Sequence, residues 1–142
     1  MAEGLDGLRI YRLAEALADE VWAEVLTWSP FARQTVGRQL VEAADSVGSN
    51  IAEGYGRFHF KDSRQFQYYA RGSLQETNYW LRRAPVRNLM TERRSRELME
   101  KTAELAPQLN AYIRTLGRRS QGERRQRSDE TPLDRGVQVP VP

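Results

Sequence analysis

Few residues of this sequence have the types and the spacing that catalysis requires. His59 is the only histidine and cysteine is absent, so a Ser-His-acid triad would have to use His59, and no nucleophile-elbow sequence accompanies it. The helix-borne metal motifs Glu-x-x-His and His-Glu-x-x-His are also absent from the sequence. We therefore expect no catalytic residue, no cofactor and no metal site.

Three carboxylates on one side of a predicted helix are the best remaining candidates for hydrolytic chemistry. Glu97, Glu100 and Glu104 recur at helical spacing, as in a metal hydrolase built only from carboxylates. Arg93 and Lys101 lie among them, and mixed signs along a helix face are typical of a solvated surface. We favour the surface interpretation and expect the protein not to be an enzyme.

Composition and charge limit the class of protein. The 142 residues, 39% hydrophobic and 29% charged, suit one domain with a single core. No run approaches the roughly 18 apolar residues of a membrane span. The N-terminus lacks a signal-peptide pattern and the absence of cysteine suits a reducing compartment, so we expect a cytoplasmic protein without membrane contact. The net charge of +3 permits nucleic-acid binding without requiring it.

Four helical patterns separated by short breaks account for most of the chain. Apolar residues recur at helical spacing over residues 8–27, 30–53, 63–84 and 91–116. Ser29, Asp62 or Ser63, and Thr91 are the candidate N-caps, and Pro85 should end or bend the third helix. Short connections predict an all-α, antiparallel up-down-up-down four-helix bundle. The residues predicted to be buried are Leu17, Leu40, Val47, Ile51, Phe66, Trp80, Leu105 and Leu109.

The domain boundary is predicted at Leu116. Residues 1–116 form the bundle domain, with Pro107 on the solvent side of the fourth helix. Residues 117–142 combine arginines, acids and prolines with few apolar side chains. Such a composition does not offset the entropy of ordering the chain, so we expect a disordered C-terminal tail.

A stripe of polar residues runs along the edge of the apolar face of the second helix. Buried polar groups need partners and fix helix register when they have them, so a structural network is favoured over a ligand or catalytic site. The residues assigned to this network, with partners from the third helix, are Ser46, Asn50, Glu53, Arg57, Arg71 and Glu76.

The third helix has more than one usable face. Its core stripe is predicted to contain Phe66, Tyr69, Ala70, Ser73, Thr77, Trp80 and Ala84. A second face carries Tyr68, Gly72 and Tyr79, and a glycine between two aromatic rings suggests a subunit interface more than isolated exposed tyrosines. Beside it, Arg64, Arg71 and Arg82 are candidate nucleic-acid contacts, although a solvated face is the commoner role of a charged row.

Two sequence elements resemble a known family. They are VGSNIAEGYGR at residues 47–57 and YARGSLQE at residues 69–76. These elements are similar to those of the four-helix-bundle proteins whose founding members are encoded in intervening sequences of bacterial 23S rRNA genes. The accessory proteins of diversity-generating retroelements are related to that family. The resemblance covers about residues 8–116 and implies a homopentameric bundle without known catalytic activity. For the retroelement branch it also implies binding of a reverse transcriptase and nucleic acid.

One departure bears on the function that the resemblance implies. Many family members carry basic residues just before an Ala-Ala pair, where this chain has Val41 and Glu42 before Ala43. We expect a homo-oligomeric, non-catalytic adaptor, pentameric by resemblance, that binds RNA, DNA or a nucleic-acid enzyme such as a reverse transcriptase. The alternative is a protein-only interaction module that binds no nucleic acid.

Overall fold

Four helices make up the described part of the chain. The computed structural model describes residues 4–135, with side chains as far as Asp129. A 3-10 turn, Gly4–Gly7, precedes helix α1, Arg9–Leu26. Helix α2 covers residues 30–55 in three consecutive parts: an α-helical turn, Pro30–Ala32, a π-helical segment, Arg33–Gly37, and an α-helix, Arg38–Tyr55. Helices α3, Phe60–Val86, and α4, Glu92–Arg135, follow.

The helices form the predicted antiparallel bundle. Helix α2 packs against α1 and α3, α3 packs against α4, and α4 closes the bundle against α1. The connections are only a few residues long, so successive helices run in opposite directions. The part of the chain that the structure describes contains no strand, which confirms the all-α fold class.

The core confirms six of the eight residues predicted to be buried and corrects two. Leu17, Leu40, Val47, Ile51, Leu105 and Leu109 are fully buried, whereas Phe66 and Trp80 are only partly buried. The buried residues of α3 are Ser63, Gln67, Ala70, Leu74, Thr77, Leu81 and Ala84. Ala70, Thr77 and Ala84 of the predicted stripe are therefore confirmed as buried, whereas Tyr69, also predicted there, is 51% exposed.

Two of the predicted helix caps are present. The Ser29 hydroxyl accepts a hydrogen bond from the Ala32 amide (3.3 Å), and the Thr91 hydroxyl accepts one from the Arg94 amide (3.1 Å). The predicted cap at Asp62 or Ser63 is wrong. Helix α3 begins at Phe60, and the His59 side chain makes no capping bond. The extended backbone at His59 starts this helix without a side-chain acceptor.

Helix α3 ends one residue after Pro85, as predicted, in a turn with a left-handed residue. Asn88 has φ 58°. The Leu89 amide donates to the Ala84 carbonyl (2.9 Å), and the Asn88 amide donates to the Pro85 carbonyl (3.0 Å). These two bonds form a Schellman motif, in which asparagine tolerates the conformation that glycine usually supplies.

Helix α4 is longer than predicted. It continues through Pro107, which is exposed as expected, and past Leu116 to Arg135. Residues 117–135 are helical in the structure, beyond the boundary predicted at Leu116 and within the segment for which the sequence predicts a disordered tail. The segment is rich in arginine, glutamine and glutamate, which favour helix, and Ser120 is still buried. Residues 136–142, the end of the predicted tail, lie outside the described part of the chain.

Two glycines of α2 permit close packing. A Cβ atom on Gly54 would lie 2.6 Å from Gln67 Nε2, 2.8 Å from the Ser63 carbonyl oxygen and 2.9 Å from Phe66 Cβ. A Cβ atom on Gly37 would lie 2.7 Å from Val25 Cγ1. The absence of a side chain at Gly54 thus allows α2 and α3 to approach each other closely.

Candidate nucleic-acid interface

Arginine residues and aromatic rings meet at one end of the bundle. The connection between α2 and α3 carries Phe58, His59 and, at the start of α3, Phe60. The second half of α4 runs beside this connection. Over residues 114–127 it contains six arginines and a single acidic residue, Glu123. These arginines are Arg114, Arg118, Arg119, Arg124, Arg125 and Arg127. We call Phe58, His59, Phe60 and these six arginines the basic end.

Contacts between guanidinium groups and rings hold the basic end together. The Arg119 guanidinium carbon lies 5.6 Å from the centroid of the Phe60 ring. Arg127 Nη2 lies 3.3 Å from His59 Nδ1. The Phe58 ring meets the His59 ring edge to face, with centroids 4.9 Å apart. Helix α4 therefore orients the loop, and 91% of Phe58 remains exposed.

The three arginines predicted to contact nucleic acid line one side of α3. The Arg64 side chain extends to α4 beside the basic end. Its Nη1 atom lies 3.1 Å from the position that a Cβ atom on Gly117 would occupy. Arg71 lies farther along, where its Nη1 donates to Asn110 Oδ1 at 3.4 Å. Arg82 is exposed. At 1.5 Å per residue, the row extends about 27 Å from Arg64 to Arg82.

The predicted polar network divides into separate local contacts. Asn50 Nδ2 donates to the backbone oxygen of Ser46 (2.8 Å), and Glu53 pairs with Arg57 (2.6 Å) within the same helix. Arg57 also lies over the Phe66 ring, 4.5 Å from its centroid. Glu76 accepts a bond from Trp80 Nε1 at 3.4 Å. Arg71 contacts Tyr68 and Asn110, not Asn50 or Glu53.

Other polar side chains cross between helices, and the sequence reasoning missed them. Gln67 is buried and donates from Nε2 to the Ile51 carbonyl oxygen at 3.3 Å. The Ser95 hydroxyl donates to the Leu81 carbonyl oxygen (2.7 Å), and the Thr102 hydroxyl lies 2.6 Å from Asn78 Oδ1. Their positions at helical spacing within the apolar stripes are the signal that would have identified them.

The face predicted as a subunit interface is exposed in the single chain. Tyr68 is 37% exposed and Tyr79 48%. A Cβ atom on Gly72 would meet no atom within 4 Å. Successive residues of an α-helix are 100° apart. Gly72 therefore lies on the side of α3 opposite its buried residues, at the position farthest from them.

A groove of about 310 Å³ between α1 and α2 has small residues at its base and acids at its rim. Ala14 and Gly48 line the groove, together with Asp19 and Asp45. Burial, and after it the nearby charge of Asp19, raises the pKa of Asp45. Both effects disfavour the ionised form of the Asp45 carboxylate.

Two of the three carboxylates that were considered for hydrolytic chemistry, Glu97 and Glu104, are engaged in ion pairs. Glu97 pairs with Arg94 (3.1 Å) and Arg93 (3.4 Å), and Glu104 pairs with Arg9 (3.0 Å). Over the residues whose side chains are described, no group of three or more histidine, aspartate or glutamate residues has the arrangement of a metal site. Within residues 4–135, no helix combines the length and the apolar character needed to cross a bilayer.

The sequence reasoning missed most of the basic end because it assigned the arginines after Leu116 to a disordered tail. The signal lay in the aromatic residues at 58 and 60, which interrupt a polar, glycine-containing connection. An aromatic run beside basic residues is a common feature of nucleic-acid-binding surfaces.

Comparison with known proteins supports the resemblance seen in the sequence. The solved structure of a protein of unknown function from the S23 ribosomal protein family of Bacteroides thetaiotaomicron superposes with a TM-score of 0.66 at 17% identity, and the match covers 73% of this chain and 97% of that one. The shared feature at that identity is the fold. No curated protein matches the sequence. Residues 6–111 match the family described as 23S rRNA-intervening sequence protein, and the chain belongs to that family.

Proposed function

We propose that the protein is a non-catalytic, cytoplasmic homo-oligomeric adaptor that binds nucleic acid through its basic end. The observation that carries this proposal is the continuation of α4 as an arginine-rich helix past the core, in contact with the aromatic loop. Arginine forks donate paired hydrogen bonds to phosphate oxygens. A nucleic-acid enzyme such as a reverse transcriptase belongs to the same proposal, because it would bring the nucleic acid to this surface.

Local charge supports the proposal better than net charge does. The whole chain carries only +3, but Arg94 and Lys101 are paired with acids on α1 near the other end of α4. By contrast, the run from Arg114 to Arg127 contains six arginines and one acid. A single-sign segment of this kind attracts phosphates even when the protein as a whole is close to neutral.

Salt-dependent binding tests the proposal. Fluorescence anisotropy with a labelled 20-nucleotide RNA should show an affinity that falls steeply as salt rises from 50 to 200 mM. Replacing Arg124 and Arg125 with Gln should weaken binding and reduce the log–log salt slope by about 1.4, because each lost phosphate contact removes about 0.7 for a single strand.

The control removes the same charge elsewhere. The double variant Arg33→Gln/Arg87→Gln changes two exposed arginines at the opposite end of the bundle and should bind as the wild type does. If the wild type shows no salt-dependent binding at 50 mM salt, the nucleic-acid proposal fails and the protein-only interaction module is favoured. If both double variants lose affinity equally, the basic end is not the binding surface.

The outer face of α3 supports self-association. Exposed Tyr68 and Tyr79 flank Gly72, where a neighbouring subunit can approach the backbone closely. In a closed ring each subunit contacts the next through two different patches. The acidic groove between α1 and α2 is a suitable second patch, because Arg71 and Arg82 border the tyrosine face and carry the opposite charge.

Sedimentation velocity tests the ring. The wild type at 50 µM should sediment as an oligomer, and Gly72→Arg should dissociate it while the helical signal is kept. Gly122→Arg is the matched control, since Gly122 is also helical with no atom within 4 Å of its Cβ position. A monomeric wild type would refute the ring. An oligomer unaffected by Gly72→Arg would exclude this face.

A further inference from the structure

We propose that Phe58 stacks on a base of single-stranded RNA or DNA whose phosphates contact the arginines of α4. This inference rests on the proposed nucleic-acid binding. It adds that the nucleic acid is single-stranded and that Phe58 is the residue that distinguishes a single strand from a duplex. The ring lies in the connection between α2 and α3 and is 91% exposed. Exposure of so large an apolar side chain is unfavourable in water, and a stacked partner would remove that cost.

The environment of Phe58 differs from that of its aromatic neighbours. Arg119 lies over the Phe60 ring, and Arg57 lies over the Phe66 ring, so one face of each is already covered by a guanidinium group. Phe58 contacts the His59 ring edge to face, at an interplanar angle of 87°. With this contact present, Phe58 is still 91% exposed.

The loop is also held in place relative to the arginines. Arg127 Nη2 lies 3.3 Å from His59 Nδ1, and His59 in turn supports Phe58. The aromatic platform and the phosphate-binding side chains therefore belong to one surface. A backbone that follows the arginines of α4 would bring successive bases past the Phe58 ring.

The chemistry of stacking selects a single strand. In a duplex each base is already stacked between its neighbours and offers no free face, whereas the bases of a single strand can turn outward onto an aromatic side chain. Apolar contact with a peptide would also cover Phe58, but the surrounding arginines favour a polyanion over a neutral apolar segment. Single-stranded nucleic acid satisfies both the ring and the charges.

The test compares matched probes and matched variants. Anisotropy is measured with a 12-nucleotide single-stranded RNA, the DNA of the same sequence, and the corresponding RNA duplex. We expect Phe58→Ala to weaken binding of both single strands by about 5- to 150-fold, the range for loss of one stacked base, with an unchanged salt slope. Phe58→Trp should retain affinity and show fluorescence quenching on binding, measured against the signal of the native tryptophans.

The control is Phe31→Ala. Phe31 is 79% exposed at the beginning of α2, at the other end of the bundle, so its removal tests general loss of exposed apolar surface. The inference is overturned if Phe58→Ala binds single strands as tightly as the wild type while Arg124→Gln/Arg125→Gln binds weakly, and in that case nucleic-acid binding itself stands. It is also overturned if the duplex binds as tightly as the single strand. Absence of any binding by the wild type would refute both proposals together.

Discussion

Replacing Gly54 with alanine should destabilise the protein, although alanine is the better helix former. The added Cβ would lie 2.8 Å from the Ser63 carbonyl oxygen and 2.9 Å from Phe66 Cβ. Both atoms belong to or adjoin the backbone of α3, so α2 and α3 would have to move apart. Overpacking of this kind costs about 1–3 kcal/mol, and the fixed neighbours favour the upper half of that range. The helix-propensity gain offsets about 1 kcal/mol. The expected net loss is about 1–2 kcal/mol.

Gly48→Ala is the matched control, because Gly48 lies in the same helix and faces another neighbour. Its added Cβ would lie 3.7 Å from Ala14 Cβ, an ordinary van der Waals contact, so the propensity gain of up to about 1 kcal/mol should appear as added stability. Urea denaturation followed by circular dichroism measures both variants. The close-approach explanation is wrong if Gly54→Ala is as stable as Gly48→Ala. A confirmed difference would show that Gly54, the last residue of the sequence NIAEG at positions 50–54, is required for the packing of α2 against α3.

Three further changes test the fold and the extent of α4. Ile51→Ala should cost about 2–5 kcal/mol in denaturant unfolding because Ile51 is fully buried, and a loss below about half a kcal/mol would remove it from the core. Thr91→Ala should cost about 1 kcal/mol because the Arg94 amide loses its acceptor, and an unchanged unfolding midpoint would show that water replaces the cap. Deletion of residues 121–142, which follow the last described buried position, Ser120, should leave the melting temperature nearly unchanged but abolish most nucleic-acid affinity. A large drop in melting temperature would show that this segment stabilises the bundle.

Helix number, type and order were predictable from the sequence because they depend on local periodicity and local hydrogen bonds. The apolar stripes of α1, α2 and α4 correctly predicted burial of Leu17, Ile51 and Leu109. The caps at Ser29 and Thr91 were predictable because each hydroxyl bonds to an amide three residues away. Such contacts require no knowledge of the rest of the chain.

The buried face of α3 was not predictable in the same way. Size and hydrophobicity favoured Phe66 and Trp80, but near Phe66 the absence of a side chain at Gly54 lets α2 approach α3 closely, and the buried residue there is Gln67. The packing of two helices decides which of two adjacent stripes is buried. That choice depends on the shape of the partner helix and not only on the periodicity of α3 itself.

The sequence alone determined that this protein is an all-α bundle with a tyrosine-bearing face, an arginine row and no recognisable catalytic motif. Only the tertiary structure decided where the basic surface lies. The sequence predicts a polar tail after Leu116, because the residues there provide no core. Contact with the loop at Phe60 and His59 gives them a defined helical position instead. Residues some sixty positions apart in the chain acquire a common surface only when α4 packs alongside α3, and no local pattern specifies that contact.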